Sequence, residues 1–239
     1  MVEVIGHRGS SKEAPENTLA SSRLAFSEQA DGVEVDVRMT KDGQLVCIHD
    51  KNTLRTTGVE ALIKEKTLVE LKSMDAGQWK GEQWKGEAIP SLQEILEFIP
   101  QGKKIFIEMK EGLHTIDPLI RCIETSNLNT TQISVNSFHQ EVVKKMKQEM
   151  EKITTNLLVF FESNENNTDE GVLNKLLESN LDGVGAQNHP RLSPVFVNKI
   201  LEAGPANATF IISIRGFEKL TGFTGTGLAH PKPTKRIIM

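Results

Sequence analysis

The feature that most constrains this chain is the rhythm of its apolar residues. Short β-type runs at 2–6, 32–39, 44–48, 104–109, 132–138, 155–161, 182–186 and 208–214 are interleaved with helical patterns at 18–29, 92–99, 115–125, 140–150, 170–179 and 194–203. Such alternation means βα units, and βα units build a parallel sheet covered by helices. Ser91-Leu92-Gln93-Glu94 has the form of a capping box and marks one helix start. With 239 residues, the fold expected first is α/β, a closed TIM-type (β/α)₈ barrel, with an open doubly wound sheet as the alternative. No G-x-G-x-x-G or Walker loop is present, which weakens a nucleotide-binding sheet.

Composition enters where it excludes function classes. Lys and Arg number 28 against 32 Asp and Glu, a net charge of −4, which argues against non-specific nucleic-acid binding. No apolar run approaches the roughly 20 residues of a membrane span. The N-terminus enters a strand pattern at once, without a basic segment or an apolar signal core. Cys47 and Cys122 lack metal-type spacing, so they read as core packing in a reduced, cytoplasmic protein. The whole of 1–239 reads as a single domain. Within it, residues 51–90 form a long polar insertion or lid containing the duplication GQWKGEQWKGE at 77–87. Trp79 and Trp84 are expected to anchor that insertion, with a ligand-facing role for one as the alternative. Residues 163–170, SNENNTDE, read as a surface loop.

One strand carries chemistry. In GVEVDVRM, residues 32–39, alternation sends Val33, Val35 and Val37 one way and Glu34, Asp36 and Arg38 the other. Acids two residues apart on a strand are roughly 6.5–7 Å apart, close enough to share a cation. Asp42-Gly43 predicts a two-residue hairpin, which would place His49 directly across from Asp36 with Cβ atoms about 5 Å apart. GHRG at 6–9 follows the first strand, at the barrel rim where active sites are built. IFIEMKEG at 105–112 repeats the alternation and points Glu108 and Lys110 the same way.

These pieces together resemble the glycerophosphodiester phosphodiesterases. HRG followed by APENT (14–18), VEVDVRMTKDG, HD (49–50), LRTTG (54–58), IPSLQEIL (89–96) and IEMK (107–110) match that family's signature in order; NSF (136–138) and DGVGAQN (182–188) follow more loosely. The resemblance implies a TIM barrel with the family's insertion after HD. It implies Glu34, Asp36 and Glu108 as metal carboxylates. All-oxygen ligation selects a hard divalent cation, Mg²⁺ or Ca²⁺. Arg8 and Lys110 would neutralise the substrate phosphate. His7 and His49 would be the acid–base pair, suited because imidazole titrates near neutrality. The attacker is either water or the substrate's own glycerol 2-hydroxyl. Glu16 and Asn17 read as structural, Asn17 as a helix cap; His114, His139, His189 and His230 read as surface or packing residues.

The activity this implies is metal-dependent hydrolysis of glycerophosphodiesters to sn-glycerol 3-phosphate and an alcohol, with a small-molecule substrate as the partner. The alternatives are a phospholipase D-like lyase acting on lysolipids or sphingolipids and ending at a cyclic phosphate, and a catalytically defective barrel. The last arises because the resemblance fails after about Gly204. There the sequence is rich in Gly, Thr and Pro, and no closing barrel strand is evident in 205–239. A reading-frame change or truncation would produce such an end, a divergent terminus being the milder explanation. A barrel lacking its last strand would expose unpaired edges.

Overall fold

A computed structural model describes residues 2–161, 168–187, 189, 191, 193–203, 209–213 and 235–238. Most of the 163–170 loop, Asn188, His230 and the glycine-rich stretch 214–234 lie outside the described residues. The elements run β1 Val2–His7, α1 Leu19–Ser27, β2 Gly32–Met39, β3 Leu45–Cys47, α2 Leu54–Thr57, α3 Leu68–Lys72, α4 Leu92–Phe98, β4 Lys104–Met109, α5 Ile116–Thr125, β5 Ile133–Ser137, α6 Gln140–Glu149, β6 Thr154–Val159, α7 Asp169–Glu178, β7 Gly183–Gln187, α8 Pro194–Ala203, β8 Thr209–Ser213 and β9 Lys235–Ile238.

Parallel pairings run β1–β2–β4–β5–β6–β7–β8–β9 and return from β9 to β1, while β3 lies antiparallel on β2. The α/β barrel is therefore closed. This corrects the expectation that no closing strand follows Gly204: Lys235–Ile238 pairs with Thr209–Ile212 on one side and Val2–Val4 on the other. The strand is only KRII, too short to show a periodicity. It takes its conformation from two waiting edges, each offering unpaired backbone groups.

Strand alternation sorts the side chains as expected. Val33, Val35 and Val37 are fully buried against Leu92, Ile95, Leu96 and Leu119 in the layer between sheet and helices, each worth about 1.5–3 kcal/mol of burial. Inside the barrel, Ile5, Phe106 and Ile211 form an apolar plug. Asn156 Nδ2 donates to Ser134 Oγ and Asn136 Oδ1, both at 2.8 Å. Gly183 is required there, since a Cβ would fall 2.2 Å from the Thr209 carbonyl oxygen.

Two local predictions fared differently. The Ser91 capping box is present, its hydroxyl accepting from Glu94 N while the Glu94 carboxylate accepts from Ser91 N. The hairpin register differs by one residue: Met39 faces Leu45 and Val37 faces Cys47. Thr40 N donates to the Gln44 carbonyl at 2.9 Å, leaving a three-residue loop with Gly43 left-handed at φ 73°. The longer loop is held by Asp42, whose carboxylate accepts from the Thr40 hydroxyl and from Leu68 N.

The insertion carries α2, α3 and three single 3₁₀ turns. Ile63, Leu71, Ala76 and Ile89 pack on Val46 and Ile48 of the hairpin. Neither tryptophan belongs to that cluster. Trp79 instead donates its indole N–H to the Ala76 carbonyl within the insertion. No described helix is long and apolar enough to cross a membrane.

Candidate active site

The site grows from the C-terminal ends of β1, β2 and β4. His7 pairs in register with Glu34, and Asp36 with Glu108. Glu34, Asp36 and Glu108 are 1 %, 0 % and 8 % exposed, and one oxygen of each lies within 4.8 Å of the others. Three buried carboxylates at that spacing repel one another. Burial, with Asp36 and Glu108 nearby, pushes Glu34 well above the usual carboxylate range. Burial and Asp36 raise Glu108 as well. At Asp36, burial is outweighed by Arg8, Lys110 and the Asn17 hydrogen bond, so it stays below its ordinary value.

Two cations are embedded among these acids. Lys110 Nζ lies 3.2 Å from Asp36 Oδ1 and also donates to Glu108; against the cost of burial, the two acids raise its pKa. Arg8 Nε lies 2.9 Å from Asp36 Oδ2, although its N–H is not aligned for a hydrogen bond. The Arg8 backbone is left-handed at φ 57°, a conformation that costs a non-glycine residue on the order of 1 kcal/mol. Its reward is a hydrogen bond from Arg8 N to Glu34 Oε2 at 2.9 Å.

The histidines sit at the edge of the cluster. His7 Nε2 is 3.9 Å from Glu34 Oε2; burial, then Arg8, lowers its pKa to about 4, leaving the ring neutral at pH 7. His49 is not opposite Asp36, because the shifted register gives that place to Ile48, whose N–H donates to the Asp36 carbonyl. His49 nevertheless lines one pocket with Glu16 and Asn17, and Arg38 Nε donates to its carbonyl at 2.9 Å. Its Nδ1 lies 2.7 Å from Asp50 Oδ1. An ionised carboxylate only accepts, so Nδ1 carries the proton and, in the neutral ring, Nε2 is free to accept one.

Of the seven residues singled out from the sequence, Glu34, Asp36 and Glu108 form the cluster, His7, Arg8 and Lys110 lie against it, and His49 lines the adjoining pocket; several less prominent residues join them. Asn17 is not the cap of α1; Thr18 is, in a capping box with Ser21. Asn17 is left-handed at φ 59°, donates to Asp36 Oδ2 and accepts from Asp36 N. Glu16 receives a hydrogen bond from Arg8 Nη1. The signal for both was the density of polar residues in APENT, which can be read as a structural turn as easily as a site wall. Of the remaining histidines, His114 and His139 are exposed beside Glu111 and Glu141, and the His189 ring stacks on Phe161.

The donor set fits a hard divalent cation. It is all carboxylate, it is buried, and Glu34 Oε1 has no hydrogen-bond partner, a costly state that a cation would relieve.

Comparison with known proteins identifies the family. The family model for the glycerophosphoryl diester phosphodiesterase family matches residues 7–210. A glycerophosphodiester phosphodiesterase of Caldanaerobacter subterraneus subsp. tengcongensis is 45% identical over 152 residues, covering 60% of this chain and 62% of that protein. One from Bacillus altitudinis is 40% identical over 116 residues, covering 48% of this chain and 47% of that protein. The aligned stretches therefore span less than two thirds of these relatives. Among solved structures, a glycerophosphodiester phosphodiesterase from Agrobacterium tumefaciens superposes with a TM-score of 0.76 at 22% identity, over 91% of this chain and 89% of that one. An Oleispira antarctica phosphodiesterase in complex with the product sn-glycerol-3-phosphate superposes with a TM-score of 0.74 at 30% identity, over 87% and 83%. With its signature motifs gathered at one end of a closed parallel barrel, this chain belongs to the glycerophosphoryl diester phosphodiesterase family.

Proposed function

We propose that the protein hydrolyses glycerophosphodiesters to sn-glycerol 3-phosphate and an alcohol. The observation that carries this reading is the buried triad Glu34, Asp36 and Glu108, flanked by two cations and two histidines at one mouth of the barrel. The names of the relatives, and the product bound in the Oleispira antarctica phosphodiesterase, support the same reaction.

The three carboxylates would hold one divalent cation, Mg²⁺ or Ca²⁺. When bound, it would supply Lewis-acid polarisation of a phosphoryl oxygen. The chain's own residues account for the rest. Arg8 offers a planar fork to the phosphate and Lys110 a point charge. His49, held by Asp50 with Nε2 available, is suited to take the proton of the attacking hydroxyl. His7 is the other member of the acid–base pair and serves the leaving alkoxide. That role needs the protonated ring, which burial and the neighbouring Arg8 oppose. A cytoplasmic setting accords with two free thiols.

The test is release of sn-glycerol 3-phosphate from glycerophosphocholine, run with EDTA, Mg²⁺ and Ca²⁺. Turnover should need one of the metals and fall by about 10²–10⁴ in His49→Ala. Turnover unchanged by EDTA and by the substitution would refute the assignment. Accumulation of a cyclic phosphate would convert the reading to a lyase.

A further inference from the structure

We infer that Arg55 is a positioning residue for this reaction: one guanidinium from the insertion locks the loop that carries His49 to the loop that carries His7 and Arg8. The inference rests on the function proposed above and extends it to a residue outside the cluster.

Arg55 lies on α2, and every nitrogen of its fork is used. Nε donates to Asp50 Oδ2 at 2.6 Å, Nη1 to Glu16 Oε2 at 2.8 Å and Nη2 to Glu16 Oε1 at 2.8 Å. Both carboxylates then continue into the site. The second oxygen of Asp50 accepts from His49 Nδ1 at 2.7 Å, and Glu16 Oε1 also accepts from Arg8 Nη1 at 3.0 Å. A single charge thereby fixes the rotamer of the residue that sets the His49 tautomer and of the residue that steers Arg8.

The base of this clamp is rigid. Thr53, just before α2, is fully buried; its N–H donates to the Ala61 carbonyl and its hydroxyl to the Val59 carbonyl. Glu16 is only 11 % exposed. Arg55 itself is 42 % exposed and Asp50 30 %; what separates the cluster from an ordinary surface ion pair, in which two mobile chains meet in water for little gain, is the three-point fork onto a largely buried Glu16. Lysine could not replace the arginine, because an ammonium is a point charge without a planar fork to hold two carboxylates in fixed register.

The role predicted is geometric. Without Arg55, the Asp50 carboxylate turns, His49 loses its fixed tautomer, and Glu16 no longer holds Arg8 in one orientation. Loss of such outer supports costs about 10–100-fold in activity. Arg55→Ala should therefore lower kcat by that factor, with a smaller rise in KM, at an unfolding temperature close to the parent's. Arg55→Lys should stay low, and added guanidinium at non-denaturing concentration should restore part of the Arg55→Ala loss. Arg55→Ala combined with His49→Ala should be no slower than His49→Ala alone, since groups acting as a unit are not additive. Full activity in Arg55→Ala or Arg55→Lys, or multiplying losses in the double variant, would overturn the inference.

A second readout needs no substrate. Two-bond ¹H–¹⁵N spectra of the wild-type ring should show His49 protonated at Nδ1, and Arg55→Ala, or the uncharged polar Arg55→Gln, should show a mixture of tautomers. An unchanged spectrum defeats the inference whatever the substrate proves to be. Absence of wild-type turnover with a changed spectrum defeats only the proposed reaction.

Discussion

Glu34 is where stability and function conflict most directly. Its carboxyl is buried among two other acids, and one oxygen has no partner. Burial and repulsion raise its folded pKa above the ordinary 4.5. A raised value means that the folded state favours the protonated carboxyl. In EDTA, stability should thus be highest below pH 4.5 as far as this group is concerned, and decline as pH rises through the folded value. Glu34→Gln removes that decline and still leaves an oxygen to accept from Arg8 N. The metal-free variant should be more stable than wild type at pH 7 by about 0.5–2 kcal/mol, yet gain nothing from Mg²⁺ or Ca²⁺ and lose activity. Urea titrations across pH, with and without metal, check all three; a variant less stable than wild type in EDTA would show that repulsion is not the dominant effect.

At the scale of the element, the β2–β3 hairpin decides where His49 goes. Its three-residue loop needs Gly43 at φ 73°, and a side chain there would meet no neighbour within 4 Å. The requirement is therefore conformational and not steric crowding by other residues. Gly43→Val should cost about 1–2 kcal/mol, the left-handed penalty for an L-residue, and Gly43→Asn clearly less, because asparagine tolerates that region. Denaturant midpoints for the two variants test the ranking. Equal costs would mean that the loop relaxes to another turn, in which case the register, and with it the position of His49, would shift.

For the whole molecule, closure by β9 is the controlling event. Its backbone completes two ladders at once, one to β8 and one to β1, and β1 delivers His7. Removal of residues 235–239 would leave both edges open in a barrel whose other strands remain paired. Unpaired parallel edges recruit other chains. The truncated protein should associate in a concentration-dependent way on size-exclusion chromatography and lose its single cooperative thermal transition. A monomeric, cooperatively unfolding truncation would show that β9 contributes little to the ring.

The sequence alone determined the barrel class and which acids share a strand face, because strand alternation and βα rhythm are local properties. Glu34 and Asp36 share a face whatever the rest of the chain does, and Glu108 and Lys110 repeat the pattern on another strand. Three things were settled only by the tertiary structure. The hairpin loop gained a residue because Asp42 found partners in Thr40 and in Leu68, which lies 26 positions away. KRII became a strand because two distant edges were waiting for it. Arg55, Glu16 and Asn17, which look like ordinary polar loop residues, were joined to the site by hydrogen bonds spanning 19 to 39 positions of chain. Contacts of that span have no periodicity to betray them; they exist only once the ring has closed and brought its loops to one rim.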